Sequence, residues 1–260
     1  MIPAYLELAH MTREELKARA GDAVLVLPTA ATEQHGPHLP MGTDAMIGEA
    51  VARAALGHLD NNYVLAPVLP FGSSHHHLIY GALSLSTATY LAGISDLLAS
   101  ALDSGFRRVY VLNSHGGNVE CVRLAARDTA LDRPSVIGSC SYWDVSRPAI
   151  EAAGLGHTGP VPGHAGQFET SLMLHLAPGL VKLDRVASGD HRTPMEGLVR
   201  TPGSSIQAHG DWQRTGGFTD APEYPSPELG RALLQLIGER VAQTLTEFDA
   251  LSRASIAEAI

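Results

Sequence analysis

The chain has 260 residues, 45% of them hydrophobic and 17% charged, the balance of a soluble globular protein able to bury a substantial core. The formal net charge of −9 argues against nucleic acid and anionic membranes as partners, because both reward positive surface.

In chain order, the first clear strand is Asp22 to Pro28, a continuous apolar run of the kind buried on both faces of a parallel sheet. A polar loop follows, and Thr43 or Asp44 can cap a helix that runs to about Gly57. Asn62 to Pro67 reads as a second strand, and Ser86 or Thr87 opens a helix that ends near Ser104-Gly105. Arg108 to Leu112 is a third strand, Asn118 to Asp132 a helix, Pro134 to Tyr142 a fourth strand, and Val145 to Ala153 a short helix. A helix from about Gly166 to Leu176 stops at Pro178-Gly179. Residues 184–226 are rich in Gly, Pro, Ser and Thr and predict a long functional or interface loop. The last helix spans about Pro227 to Leu251, with an apolar stripe through Leu229, Leu233, Leu236, Ile237, Val241 and Leu245.

Strands alternating with helices predict a single α/β domain over residues 1–260, with a mostly parallel sheet and helices on both faces. The two cysteines, Cys121 and Cys140, form no CxxC pair, which fits a reducing compartment. The opening Met1-Ile2-Pro3-Ala4-Tyr5 lacks the pattern of a signal peptide, and no apolar run reaches the roughly 18 residues that span a bilayer. The expected location is the cytoplasm.

Three stretches concentrate metal-ligand side chains. They are Glu33-Gln34-His35-Gly36-Pro37-His38 with Thr43-Asp44, then Asn113-Ser114-His115-Gly116-Gly117-Asn118, then His164-Ala165-Gly166-Gln167-Phe168-Glu169. Mixed carboxylate and imidazole ligands suit divalent ions, and two ions with shared ligands make a hydrolytic site. The first two stretches follow strands directly, so they should converge beyond the carboxyl ends of a parallel sheet.

Each residue also has a plainer reading. Asp44 alone is more often a helix cap than a ligand, and His115 before two glycines could be a turn residue. Glu33 and His35, two apart, would point to opposite sides of an extended chain unless a turn intervenes. Glu169 lies on a helix with Phe168, Leu172 and Met173, where an unpaired carboxylate is costly, so a metal or another cation must meet it. His75-His76-His77 reads as a pocket wall facing substrate, and His38, His157, His175, His191 and His209 receive no role. No Gly-x-Ser-x-Gly elbow, His-Glu-x-x-His helix or phosphate loop is present.

These motifs, in this order, resemble the creatininase (creatinine amidohydrolase) family from about Pro28 to the final helix. The resemblance implies a three-layer α/β/α fold, two divalent ions per chain (zinc, manganese or iron), hydrolysis of a small-molecule amide C–N bond, and a homo-oligomer, commonly a hexamer. It implies Glu33, His35, Asp44 and His115 as ligands, with Asp44 bridging. His164 would be the acid/base residue, and Glu169 either a further ligand or an acid/base group. Ser74, His76, Trp143, Gly116 and Gly117 are expected to face substrate. The implied mechanism is attack on the carbonyl by water made acidic by the ions, with His164 passing a proton to the leaving nitrogen.

Two departures bear on substrate. Creatininase has a glutamate ligand where this chain has Gly117, and a ring-stacking tryptophan where it has Gly159 to Gly163. Creatinine is therefore not the expected substrate. Family members with His-Gly-Gly-Asn include formamide hydrolases of flavin precursors and a peptide-trimming enzyme of redox-cofactor maturation. A rival of another class is a metal-binding protein without catalysis, to which only Gly117 points.

Overall fold

The computed structural model describes residues 5–60, 62–155, 161–186, 209–214, 216–220 and 222–258. Five parallel strands form one sheet: β1 (Leu6–Glu7), β2 (Val24–Thr29), β3 (Tyr63–Leu65), β4 (Arg108–Asn113) and β5 (Val136–Ser141), in the order β1-β3-β2-β4-β5. Every residue of β2 and β4 is buried, as continuous apolar runs between two helical layers require.

Side chains alternate across the sheet between two cores. Val24, Val26, Tyr110 and Leu112 face the layer of α2 (Thr43–Leu56), α5 (Tyr142–Ala152), α6 (Gln167–Leu176) and α8 (Pro227–Glu258). Leu25, Leu27, Val109 and Val111 face the layer of α1 (Arg13–Arg19), α3 (Thr87–Asp103) and α4 (Val119–Asp132). The architecture is a three-layer α/β/α sandwich. A four-residue helix, α7 (Asp211–Arg214), lies between α6 and α8 in sequence.

Periodicity placed no element before Asp22, and the structure has a short strand, a 3₁₀ turn (Leu8–His10) and a helix there. β1 is only two residues long, too short to carry a pattern. α1 has no buried residue, so no apolar stripe marks it. Its signal is the capping box Thr12-Arg13-Glu14-Glu15, in which Thr12 Oγ1 accepts from the Glu15 amide and the Glu15 carboxylate accepts from the Thr12 amide. The last helix continues seven residues beyond Leu251, to Glu258. Most of the expected 184–226 loop lies outside the described residues.

The strand order reverses beside β2, because the chain moves to β3 on one side and later to β4 on the other. The carboxyl ends of β2 and β4 are in register at Thr29 and Asn113, which brings the first two motifs together at the switch point. Ser114 fastens the third element there: its Oγ donates to the carbonyls of Thr29 and Asp44, both at 2.9 Å. α2 can approach this closely because residue 48 is glycine; a Cβ there would stand 2.5 Å from Ser114 Oγ.

Candidate metal centre

The loop after β2 turns at Gly36, whose φ of 64° favours glycine. Glu33 and His35 thus reach the same cluster rather than opposite sides. Asp44 occupies the first turn of α2, but the N-cap is Gly42 and no side chain caps the helix. Its carboxylate is instead turned to the sheet end, with Oδ1 3.1 Å from His35 Nε2 and Oδ2 3.1 Å from His115 Nδ1. The two oxygens of one carboxylate therefore address two different imidazoles.

Further donors close the cluster. His115 Nδ1 is 3.3 Å from Glu33 Oε1, and Glu169 Oε2 lies 3.8 Å from His35 Nε2. Glu33, His35, Asp44, His115 and Glu169 are all buried. Glu33 Oε1 and Oε2 and Asp44 Oδ2 are buried without a hydrogen-bond partner, an arrangement that costs several kcal/mol per charge unless a cation meets it. Four donors at 2.0–2.2 Å from a common ion lie roughly 3.3–3.6 Å from one another, and the separations here bracket that range. Four triads that combine these side chains with His76, His77 and His164 have donor atoms mutually within 4.8 Å: Glu33/His35/Asp44, Glu33/His76/His115, Glu33/His77/His164 and His35/His164/Glu169. The residues present fit divalent ions.

Neighbouring groups aim the imidazoles. His35 Nδ1 is 3.1 Å from the Glu33 carbonyl, leaving Nε2 for the cluster. His115 Nε2 faces the Ser73 carbonyl at 3.2 Å, leaving Nδ1. Such outer contacts fix tautomer and orientation. Burial opposes charge on His35, yet Asp44, Glu169 and Glu33 outweigh it and raise its pKa to about 10. Against the same burial, Glu33 and Asp44 hold His115 well above the usual imidazole range. In the metal-free cluster, imidazolium supplies the cation that the carboxylates demand.

His164 behaves in the opposite way. Burial and repulsion from His35 and His77 hold it well below the usual range, as a neutral base. Its Nε2 is 2.9 Å from the Gln34 carbonyl and its Nδ1 is 3.7 Å from Glu33 Oε1. The chain around it is held by Thr219, whose Oγ1 accepts from the His164 amide at 2.7 Å and whose own amide donates to the His164 carbonyl at 3.0 Å. Ala165 then takes a left-handed φ of 58° and donates its amide to Glu169 Oε2 at 2.6 Å. Burial pushes Glu169 up to about 8.

Glu33, Asp44, His115, His164 and Glu169 open onto one cavity of about 790 Å³, whose wall includes His76, His77, Gly116, Gly117, Trp143 and Trp212. Ser74 is fully buried behind the His115 ring, with Oγ 3.3 Å from Nε2. Sequence reasoning gave no role to Gln34 or Trp212, and it read the histidine run 75–77 as pocket wall without singling out His77. Gln34 sits between two ligand positions and donates its amide to His77 Nδ1 and to the Gly217 carbonyl, both at 2.7 Å. His77 is the buried member of the three-histidine run, 3.4 Å from Glu33 Oε1. Trp212, from α7, lies edge-on to His77 and tilted against His76; an isolated tryptophan in a Gly/Pro-rich stretch was its one signal.

A buried carboxylate–imidazole cluster at the switch point of a three-layer α/β/α sheet defines the class, a metal-dependent hydrolase. A family profile described as creatinine amidohydrolase matches residues 9–245, and the chain belongs to the creatininase family. It is 35% identical over 201 residues to the creatinine amidohydrolase of Pseudomonas putida, covering 71% of this chain and 76% of the relative. It is 32% identical over 197 residues to a mycofactocin precursor peptide peptidase of Mycobacterium ulcerans, covering 73% and 72%. A solved manganese creatininase superposes with a TM-score of 0.76 at 30% identity, covering 94% of this chain and 98% of that one.

Proposed function

We propose that this enzyme hydrolyses the C–N amide bond of a small molecule, a cyclic amide or a formamide, with two divalent ions held by Glu33, His35, Asp44, His115 and Glu169. The observation that carries the reading is Asp44, whose two oxygens face His35 and His115 at 3.1 Å each, as a carboxylate shared between two ions would. Zinc, manganese or iron would each suit these donors. Bound ions supply Lewis acidity toward a carbonyl oxygen and lower the pKa of water.

The protein's own groups handle the proton. Water adds to the amide carbon and the C–N bond breaks, but an amide nitrogen leaves poorly until it is protonated. His164 is neutral, tethered at Nε2 and open at Nδ1, so it can take a proton from the attacking water and return it to the nitrogen. Glu169 would serve either as a further ligand or, where no ion meets it, as an acid/base group that holds a proton near neutral pH. Gly116, Gly117, Trp143 and His76 shape the substrate's seat.

The reading carries one catalytic domain over residues 1–260, a homo-oligomer (a hexamer) and the cytoplasm as the place of work. Among the described residues no helix is long and apolar enough to cross a membrane. Elemental mass spectrometry beside a panel of small amides, lactams and formamides tests the activity. Two ions per chain with turnover are expected; full activity in metal-free Asp44→Ala protein would sink it.

A second reading, trimming of a short peptide, is favoured by the pocket rim. Leu78 and Ile79 line the cavity yet are 52% and 61% exposed, an apolar ledge longer than a small amide needs. Cleavage of a short peptide with no action on the small-molecule panel would select it.

A further inference from the structure

The three-histidine run holds two inward rings with different duties. His77 accepts the Gln34 amide at Nδ1, which places its own proton on Nε2, 3.4 Å from Glu33 Oε1. That N–H faces the carboxylate without a formed hydrogen bond, and the ring's lone pair is already used.

His76 differs. Among the described residues neither of its ring nitrogens has a hydrogen-bond partner, although the ring is locked in place. It lies parallel to His115, with centroids 5.6 Å apart and planes 5° apart, and packs on His77 at 4.2 Å and Trp212 at 4.9 Å. One of its nitrogens is within 4.8 Å of donor atoms of both Glu33 and His115.

Gly117 explains why a donor should come from this side. A Cβ at residue 117 would stand 2.1 Å from the Ser73 carbonyl oxygen, 2.6 Å from His115 Nε2 and 3.0 Å from His76 Cε1. The backbone at Ser73 and the His76 ring thus occupy the volume that any side chain at 117 would need. No ligand can enter from residue 117 without displacing them.

We propose that His76 is a metal ligand, and that with Glu33, His115 and the shared Asp44 it forms a position of two imidazoles and two carboxylates. This rests on the reading that ions occupy the cluster. It makes the two positions chemically unlike. The His76 side, with two imidazoles, suits zinc or iron, while His35 with Asp44 and Glu169 offers a single imidazole beside two carboxylates and suits a harder ion such as manganese.

The test uses the full chain, stripped by chelator and titrated with Co²⁺ by calorimetry and visible absorption. Wild type should bind two ions. His76→Gln should lose at least tenfold in affinity at one of them and change the d–d spectrum, whereas His75→Gln, on the adjacent histidine, should change neither. His76→Asn is the second variant, and the thermal midpoint of each metal-free protein checks folding. Two ions bound by His76→Gln and His76→Asn within twofold of wild type, with an unaltered spectrum, would overturn the assignment and leave the hydrolase reading intact. No ion bound by wild type would overturn both.

Discussion

His164 Nε2 lies 2.9 Å from the carbonyl oxygen of Gln34, and that bond decides which end of the imidazole works. The carbonyl can only accept, and the Gln34 amide nitrogen, 3.0 Å away, spends its two hydrogens on His77 and Gly217, so Nε2 carries the hydrogen and the lone pair of Nδ1 faces Glu33 and the cavity. Gln34 is itself clamped by its amide to His77 and Gly217. A base held this way has its geometry set before substrate arrives.

His164→Ala should therefore lower kcat by about 10²- to 10⁴-fold, the usual worth of a placed acid/base group, with metal content unchanged. Steady-state kinetics beside elemental analysis checks this. A variant that loses its metal along with its activity would make His164 a ligand instead.

The charge pattern of the cluster gives a pH prediction for the metal-free protein. His35 is raised to about 10, so the stability it contributes is full below the unfolded imidazole value, about 6.5, and is lost as pH rises through 10. Glu169, raised to about 8, contributes in the same direction and is lost between about 4.5 and 8. The two losses overlap between about pH 6.5 and 8, and His35 carries the rest. The thermal midpoint of chelator-treated protein should fall steadily from pH 7 to pH 10, while metal-loaded protein falls less because its imidazoles are already deprotonated. A metal-free midpoint that rises over that range would contradict the charge assignment.

Much of the fold was legible because its central strands are buried on both faces and must be continuously apolar. Val24 to Thr29 and Arg108 to Asn113 announce themselves that way, and the motifs follow them. α1 was not legible by periodicity, since only Leu16 is partly buried against the core. At the site, Glu33, His35, Asp44 and His115 could be named from residue type and from resemblance. The inward turn of Asp44 could not, because helix starts attract aspartate for capping as well. Nor does adjacency say which of His75, His76 and His77 turns inward; that depends on where Gln34 and Trp212 stand, and Trp212 arrives on a four-residue helix with no pattern.

Stability away from the site has its own weak point. Arg108, at the start of β4, is 2% exposed, and its guanidinium is held by the Asp249 carboxylate on α8 and by the Asp22 carbonyl. Asp249→Ala leaves that cation buried without its counter-charge, which costs about 3 kcal/mol. Urea unfolding should show a lower midpoint at unchanged slope, with full metal content. An effect under about 0.5 kcal/mol would mean that water reaches the guanidinium.

Gly117→Ala asks whether the absent side chain is a requirement. The new Cβ would overlap the Ser73 carbonyl, which is backbone and cannot swing aside, and would press on His115 Nε2 and His76. Ser73 and Ser74 support the His115 ring from behind, so any shift of residues 73–74 turns His115 Nδ1 away from Glu33 and Asp44. Losing the support of a ligand typically costs 10- to 100-fold in metal affinity. Gly117→Ala should therefore bind metal at least tenfold more weakly than wild type, and the visible spectrum of its Co²⁺ form should broaden. Gly116→Ala serves as the control, because a Cβ at residue 116 meets nothing within 4 Å. If both substitutions left metal affinity alone, the close packing of Gly117 would be incidental to the centre and His115 would be positioned by Glu33 and Asp44 themselves.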